Sequence, residues 1–173
     1  QNVRIGKINM KTDILIVGCG VSGLYCALNL PKDKNIIIIT KEEAKKSDSY
    51  LAQGGICVQR DEADYSVFYE DTMKAGHHKN NPESVDIMIR TSREVINDLI
   101  SYGVEFEKRD GELVYTREGA HSRPRILYHE DETGKEITQK LLDRVCERKN
   151  ITLVEKFTMV DLICEGNNCY GIV

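Results

Sequence analysis

The sequence predicts an α/β fold with a parallel sheet, to which a β-hairpin or meander is added, and three observations support this prediction. An apolar stretch of strand length, residues 14–17 after Asp13, runs directly into the glycine pattern Gly18-x-Gly20-x-x-Gly23. A segment compatible with a helix follows, and the β-branched run at residues 36–40 closes the unit within about 30 residues. This order of strand, glycine turn, helix and strand is typical of a Rossmann-like dinucleotide-binding domain.

The glycine pattern is the first candidate binding site. A glycine permits the tight turn out of the strand, a second lets the backbone approach a pyrophosphate, and a third lets the helix pack close to the sheet. The free N–H groups at the helix start then face the phosphates. The alternative is a glycine-rich turn in another kind of α/β protein. The candidate cofactor-binding residues here are Gly18, Cys19, Gly20, Val21, Ser22 and Gly23.

The end of the second strand departs from the usual dinucleotide pattern. An acidic residue commonly binds the ribose hydroxyls at this position, but here the strand ends in Thr40-Lys41, and Glu42 and Glu43 come one or two positions late. A lysine suits a 2′-phosphate, or the ribose is held differently. This position therefore leaves NAD, NADP and FAD open.

Length and composition bound the function. The chain has 173 residues, 40% hydrophobic and 30% charged, with a formal net charge of −4. This suits one α/β domain, assigned to residues 10–173, with residues 1–9 interpreted as an expression-tag remnant. The mild negative charge gives no reason to expect nucleic acid or membrane as a partner. No apolar run approaches the length of a membrane span, so the protein is expected in the cytoplasm.

Six cysteines are scattered along the chain and are interpreted as core thiols in a reducing compartment. Cys164 and Cys169 flank a predicted turn, where cross-strand contact is possible but a functional disulfide is not expected. No cysteine or histidine spacing is that of a metal site, and the adjacent His77 and His78 are read as surface residues at a helix end. No metal is expected.

The middle of the chain alternates between helices and loops. Residues 42–56 have no regular period and contain a Gly-Gly pair, which indicates a loop whose amides approach a bulky ligand. A helix is predicted over 64–76 with Asp64 as its cap, and another from Asn81-Pro82-Glu83 to Gly103. Short strands are predicted at 104–106 and 113–115 around an Asp-Gly turn.

The last third of the chain returns to strand and helix patterns. A helix is predicted after residues 131–134, with one apolar face formed by Ile137, Leu141, Leu142, Val145 and Cys146. Strands are predicted at 151–154, 157–164 and 169–173, the last two forming a hairpin.

Residues 116–125 form a second candidate site. Three arginines, one carboxylate and one imidazole lie within this stretch, where glycine and proline prevent regular structure. Such a density of ionisable groups on a loop is typical of a site for an anionic substrate. The alternative is a solvated charged loop.

Several short motifs, in register, resemble those of the fumarate reductase and succinate dehydrogenase flavoproteins, and within that superfamily the L-aspartate oxidases. The motifs are the glycine pattern, Lys41, residues 49–56, residues 69–76, residues 116–122 and Arg125-Ile-Leu. The resemblance spans residues 10–173 and implies the amino-terminal portion of an FAD-binding domain, with the capping and carboxy-terminal domains absent from the chain.

The resemblance also implies roles for matched positions. Residues 18–23 would hold the pyrophosphate of FAD and Lys41 would lie near the adenosine. Glu118 matches a carboxylate that faces the substrate amino group, and the neighbouring His121 is a further catalytic candidate. Asp48 stands where the membrane-bound enzymes carry the histidine that bonds to the flavin, which implies non-covalent FAD. The residues expected to line the flavin are Asp48, Ser49, Tyr50, Leu51, Ala52, Gln53, Gly54 and Gly55.

The activity implied by the resemblance is oxidation of L-aspartate to iminoaspartate, with oxygen or fumarate as electron acceptor. The product would pass to quinolinate synthase for NAD biosynthesis. Other residues needed for catalysis are expected beyond Val173, so this region alone is predicted to be inactive. Two alternatives stay open: a soluble fumarate reductase or succinate dehydrogenase flavoprotein, and a non-catalytic dinucleotide-binding module.

Overall fold

A computed structural model describes residues 10–173 of the chain, so the predicted tag remnant at residues 1–9 lies outside the described residues. Its helices and strands follow the predicted alternation. In chain order they are β1 (Ile14–Val17), α1 (Val21–Asn29), β2 (Ile36–Thr40), α2 (Asp48–Leu51), β3 (Ile56–Cys57), α3 (Tyr65–Ala75), α4 (Pro82–Ser101), β4 (Lys108–Arg109), β5 (Glu112–Leu113), β6 (Ile126–Leu127), α5 (Thr133–Glu147), β7 (Ile151–Glu155), β8 (Leu162–Glu165) and β9 (Asn168–Ile172).

A parallel sheet in the order β1-β2-β7 carries the glycine turn at the carboxyl end of β1. Ile14 pairs with Ile36, and Ile36 pairs with Ile151. The central strand β2 is buried along Ile36–Ile39, which explains why its residues are uniformly apolar: helices cover both faces of a parallel sheet. The predicted βαβ unit and α/β class are confirmed.

Helix α5 packs beside α1 and supports the sheet. Its buried face holds four of the five predicted apolar residues, because Ile137, Leu141, Leu142 and Val145 lie in the core. Cys146 is exposed, so its predicted place on the buried face is wrong. Cys146 is rotated by one helical step of 100° from Val145, which places its side chain outside the buried apolar face of α5.

Helices α3 and α4 form a second apolar cluster. Phe68, Met73, Val85 and Ile89 are buried between them. The predicted start of α4 is confirmed, since Asn81 accepts a hydrogen bond from the Ser84 amide with Pro82 as the first helical residue.

Asp64 precedes α3, but its carboxylate does not cap that helix. The side chain is fully buried and pairs with Arg125. The predicted helix is therefore confirmed and the predicted capping role is wrong.

Two predicted strands are shorter or absent. Residues 104–106 form no strand, although Val104 and Phe106 are buried. The predicted Asp110-Gly111 turn joins β4 to β5, one residue ahead of the predicted second strand. Residues 157–161 are irregular, and the strand predicted at 157–164 begins only at Leu162.

The β8–β9 hairpin is confirmed, with Gly166 at a φ of 58° in the turn. Cys164 and Cys169 are cross-strand partners and both are free thiols. The interpretation of the cysteines as core residues is mostly wrong, because Cys19 is buried and Cys57 half-buried, whereas the other four are exposed.

Within residues 10–173, none of the helices is both long enough and apolar enough to cross a membrane.

Candidate functional site

The glycine turn between β1 and α1 has the geometry that its sequence predicts. Gly18 has a φ of +108°, which favours glycine, and its amide donates to the Ile39 carbonyl (2.8 Å). A Cβ on Gly23 would lie 2.0 Å from the Gly18 carbonyl oxygen, so only glycine lets α1 approach the turn. Gly20 is the N-cap residue of α1 and has no side chain of its own to bond the helix start.

Ser49 joins the glycine turn to the predicted flavin-lining segment. Its hydroxyl accepts a hydrogen bond from the Val21 amide (3.2 Å) and lies 3.0 Å from the position that a Cβ on Gly20 would take. Two sets of predicted residues, 28 positions apart, therefore meet at the start of α1. A bare glycine backbone at a helix start is suited to a phosphate group.

A cleft of about 690 Å³ opens over this meeting point. It lies at the carboxyl ends of the strands, where α/β sheets commonly bind nucleotides. Its walls include residues 17–20, 39–43, 46–49 and 157–159.

Lys41 is the exposed basic residue at the strand end, and two acidic side chains near it are engaged within the protein. Glu43 pairs with Lys156 (3.0 Å) and Lys46 (3.6 Å), and the hydrogen bond from Lys156 lowers the pKa of Glu43. Glu155 accepts a hydrogen bond from the Ala44 amide (2.7 Å). Two of the nearby carboxylates are thus engaged within the protein, and Lys41 is presented to the cleft.

Residues 48–51 form one helical turn, α2, where the sequence predicted an irregular loop. Ser47 caps this turn by accepting a hydrogen bond from the Tyr50 amide (3.3 Å). The turn was missed because four residues are too few to show a helical period. Leu51 at the end of this turn and residues 52–55 after it are exposed and present an unbroken surface.

Gly134 holds that surface from behind and was not singled out from the sequence. Its amide donates to the Ala52 carbonyl (3.0 Å). A Cβ at this position would lie 2.2 Å from the Ser49 carbonyl oxygen and 2.6 Å from that of Ala52. A glycine in the first turn of a helix, where its low propensity is a disadvantage, was the available signal.

The loop at 116–125 contains one ionisable side chain that is fully buried, Arg125, and others that are exposed, such as Glu118. Arg125 is wholly buried, and it donates to Asp64 from Nε (3.2 Å) and Nη2 (2.8 Å) and to Asp71 from Nη1 (2.7 Å). Arg125 is therefore part of the framework of the fold. Neither the anionic-substrate role nor the solvated-loop alternative describes this arginine.

The buried charges shift their partners' ionisation. Burial alone would raise the pKa of Asp64, but hydrogen bonds from Arg125 and the Arg60 amide outweigh it and lower that pKa. Burial likewise opposes the charged form of Asp71, yet hydrogen bonds from Ser122 and Arg125 lower its pKa to about 2. Both carboxylates are therefore ionised at neutral pH.

Glu118 and His121 lie next to the segment that carries Gly54 and Gly55. Glu118 is exposed, and its Oε2 is 3.8 Å from the position of a Cβ on Gly54. His121 is half-buried, with Nδ1 3.0 Å from Arg125 Nη1 and Nε2 3.3 Å from Cys57 Sγ. The structure thus brings both predicted catalytic candidates to the predicted flavin-lining surface.

A second cavity, of about 540 Å³, lies beneath His121, between β3 and the helices α3 and α4. Cys57, Asp71 and His121 supply its polar wall, and Phe68, Met88 and Val95 supply its apolar wall. Cys57 and Asp71 were not proposed from the sequence because their partners lie more than 50 positions away along the chain. Within residues 10–173, no group of three or more potential ligand side chains could hold a metal ion.

The family described as FAD binding domain matches residues 13–173 of the chain. Two similar curated proteins are named L-aspartate oxidase. That of Clostridium perfringens is 47% identical over 159 residues, and that of Clostridium acetobutylicum is 45% identical over 165 residues. These matches include 92% and 95% of this chain but only 36% and 38% of the relatives.

Solved structures share the fold. The Escherichia coli quinol fumarate reductase subunit FrdA with the E245Q mutation superposes with a TM-score of 0.88, covering 93% of this chain and 28% of that chain at 22% identity. Mycobacterium smegmatis Sdh1 in complex with UQ1 gives a TM-score of 0.86, covering 93% of this chain and 30% of that chain at 21% identity. At these identities the likeness concerns the fold alone.

Proposed function

The chain belongs to the FAD binding domain family, and on this premise we propose that it is the flavin-binding, amino-terminal part of an enzyme that oxidises L-aspartate to iminoaspartate. Support comes from the two clostridial relatives, whose printed name is L-aspartate oxidase. The chain spans between 36% and 38% of their length, and we assign the capping and carboxy-terminal domains of the enzyme to sequence outside it.

The residues present fit FAD. The bare backbone at Gly20, the start of α1 and the cleft above them suit a pyrophosphate, and Lys41 suits the adenosine side of the cleft. Ser49 and the exposed segment 51–55 would line the flavin. When bound, FAD supplies the two-electron acceptor for oxidation of the substrate carbon.

Asp48 supports non-covalent binding of that cofactor. It is exposed at the start of α2 and lines the cleft. A carboxylate there offers no imidazole nitrogen for a bond to the flavin, and the sequence from residue 42 to residue 55 contains no histidine.

The observation that carries the substrate assignment is the position of Glu118 beside Gly54. The carboxylate is exposed on the surface proposed to face the flavin, where it can pair with the ammonium group of L-aspartate. A dicarboxylate without that ammonium would instead meet a like charge. Glu118 would therefore orient L-aspartate and disfavour succinate, through both attraction and repulsion.

The remaining parts of the proposal concern electron acceptors and partners. Oxygen or fumarate would reoxidise the cofactor, and iminoaspartate would pass to quinolinate synthase in a cytoplasmic route to NAD. The residues that bind the two substrate carboxylates belong to the sequence outside the chain, so residues 10–173 alone are expected to be inactive.

The test is anaerobic reduction of the flavin absorbance in the full-length protein that contains this chain. L-aspartate and succinate are titrated separately, after acid precipitation has shown whether the flavin is released. We expect bleaching by L-aspartate alone and release of the flavin into the supernatant.

Other outcomes reject the proposal in distinct ways. Bleaching by succinate would assign the protein to the fumarate reductases and succinate dehydrogenases. Absence of bleaching by either compound would favour a non-catalytic dinucleotide-binding module. Flavin retained in the precipitate would contradict the Asp48 argument.

A further inference from the structure

Arg125 has a hydrogen-bonding pattern that assigns a role to His121. Its Nε and Nη2 donate to the two oxygens of Asp64, and Nη1 donates one hydrogen to Asp71. The second hydrogen of Nη1 is directed at Nδ1 of His121, 3.0 Å away. The guanidinium is enclosed completely, so its own donors do not exchange these partners for water.

The hydrogen-bonding chemistry of the two His121 ring nitrogens then determines which of them carries the proton. A guanidinium has donors and no acceptor, so Nδ1 of His121 has to accept. The single ring proton must therefore lie on Nε2. A proton on Nδ1 would direct one N–H at another, and a ring protonated on both nitrogens would place a positive charge beside a buried cation.

The contact of the other ring nitrogen, Nε2, agrees with this assignment. Nε2 lies 3.3 Å from the sulfur of Cys57, which can accept a weak hydrogen bond. Burial raises the pKa of the Cys57 thiol, and Glu118 raises it further while Arg125 opposes the shift. The sulfur is thus an uncharged thiol that accepts from Nε2–H. Phe68 packs edge-on against the ring, with the ring centroids 5.9 Å apart, and restricts its rotation.

We propose that Arg125, held by Asp64 and Asp71, is a positioning residue that keeps the single proton of His121 on Nε2. The Nε2–H of His121 faces Cys57 Sγ at the wall of the cavity, where a stronger acceptor can replace this weak contact, and the ring has no lone pair available to take a proton. The ligand chemistry this suits is an oxygen acceptor such as a carboxylate. That use of the donor rests on the proposed function, whereas the position of the proton does not.

His129 provides a matched control within the chain. Its Nδ1 lies 2.7 Å from the backbone carbonyl oxygen of Glu105, which can only accept. Nδ1 of His129 must therefore carry a proton. Two histidines eight positions apart are expected to carry their protons on different nitrogens.

The experiment is ¹⁵N NMR of the full-length protein labelled with ¹⁵N-histidine, at neutral pH and without substrate. The His121→Gln and His129→Gln variants assign the two sets of ring resonances. We expect an unprotonated Nδ1 and a protonated Nε2 for His121, and a protonated Nδ1 for His129. A protonated Nδ1 on His121 would overturn the proposal.

The Arg125→Lys variant tests the positioning role. One ammonium cannot pair with both oxygens of Asp64 and also reach His121, so the Nδ1 resonance should move toward that of a protonated nitrogen. An unchanged resonance in a folded variant would show that Arg125 does not position the ring. Should the variant fail to fold, the unaltered protein's spectrum still decides the proton position. Because no turnover is required, this result stands apart from the test of aspartate oxidation.

Discussion

Arg125 and Asp64 face each other through two hydrogen bonds, of 3.2 and 2.8 Å, with both side chains removed from solvent. The pair joins the start of α3 to the loop that carries Glu118 and His121. Burial of two charges is costly unless each satisfies the other, and removal of one partner leaves the second uncompensated. The position of the candidate catalytic loop therefore depends on this ion pair.

Substitution Asp64→Asn should lower the free energy of unfolding by about 3–5 kcal/mol, because Arg125 would remain buried without its main counter-charge. Urea denaturation measures this loss. The matched control is Asp33→Asn, whose only ion pair in the described chain is an exposed contact of 4.0 Å with Lys34. The control should change stability by no more than about 0.5 kcal/mol. Equal effects of the two substitutions would contradict the structural role of Asp64.

Asp71 makes stability depend on pH in the acid range. Its pKa in the folded protein is about 2, below the value of about 3.9 in an unfolded chain. A depressed folded pKa contributes stability that is present above pH 4 and is lost as the pH falls toward 2. In Asp71→Asn the plot of unfolding free energy against pH should be flatter in this window. An identical slope in both proteins would show that Asp71 is not responsible.

Gly134 is expected to control cofactor affinity without touching the cofactor. In Gly134→Ala the new methyl group would press on the backbone oxygens of Ser49 and Ala52, which must shift to accommodate it. Overpacking of this kind costs about 1–3 kcal/mol, and the displaced segment should bind FAD roughly tenfold more weakly, the equivalent of about 1.4 kcal/mol. Fluorescence titration of the apoprotein with FAD measures the change.

The control for Gly134 is Gly111→Ala in the β4–β5 turn. Gly111 has a φ of +86° and open space around it, so alanine there strains the backbone away from the cleft. This variant should lose about 1 kcal/mol of stability and keep its FAD affinity. Equal FAD affinity for Gly134→Ala and the unaltered protein would refute the supporting role of Gly134.

The elements with strong local signals could be predicted from the sequence. Four consecutive isoleucines identify β2 as a buried central strand. The Asn81-Pro82 pair identifies the start of α4, where the Asn81 side chain accepts a hydrogen bond from an amide only three positions later. Residues 18–23 are recognisable because the glycine requirements are local. In each case the signal that predicts the element lies within a few residues along the chain.

The parts that sequence reasoning missed depend on distant contacts. Asp64 looks like a helix cap, but Arg125, 61 positions later, takes its carboxylate. Cys57 carries no signal of its own until the fold places it against His121, 64 positions away. The restriction on Gly134 arises from the Ser49 and Ala52 carbonyls, which belong to a different element. No periodicity or spacing rule contains these pairings.

The central claim is that Glu118 recognises the ammonium group of the substrate, and the ratio of kcat/KM for L-aspartate to that for succinate in the full-length enzyme tests it most directly. In Glu118→Gln the value for L-aspartate should fall by about 10–150-fold, the equivalent of a charge-assisted hydrogen bond of roughly 1.5–3 kcal/mol, while the value for succinate stays or rises. Glu112→Gln, an exposed carboxylate in β5, is the control and should leave the ratio unchanged. An equal fall for both substrates in Glu118→Gln, or no fall for either, would contradict the account.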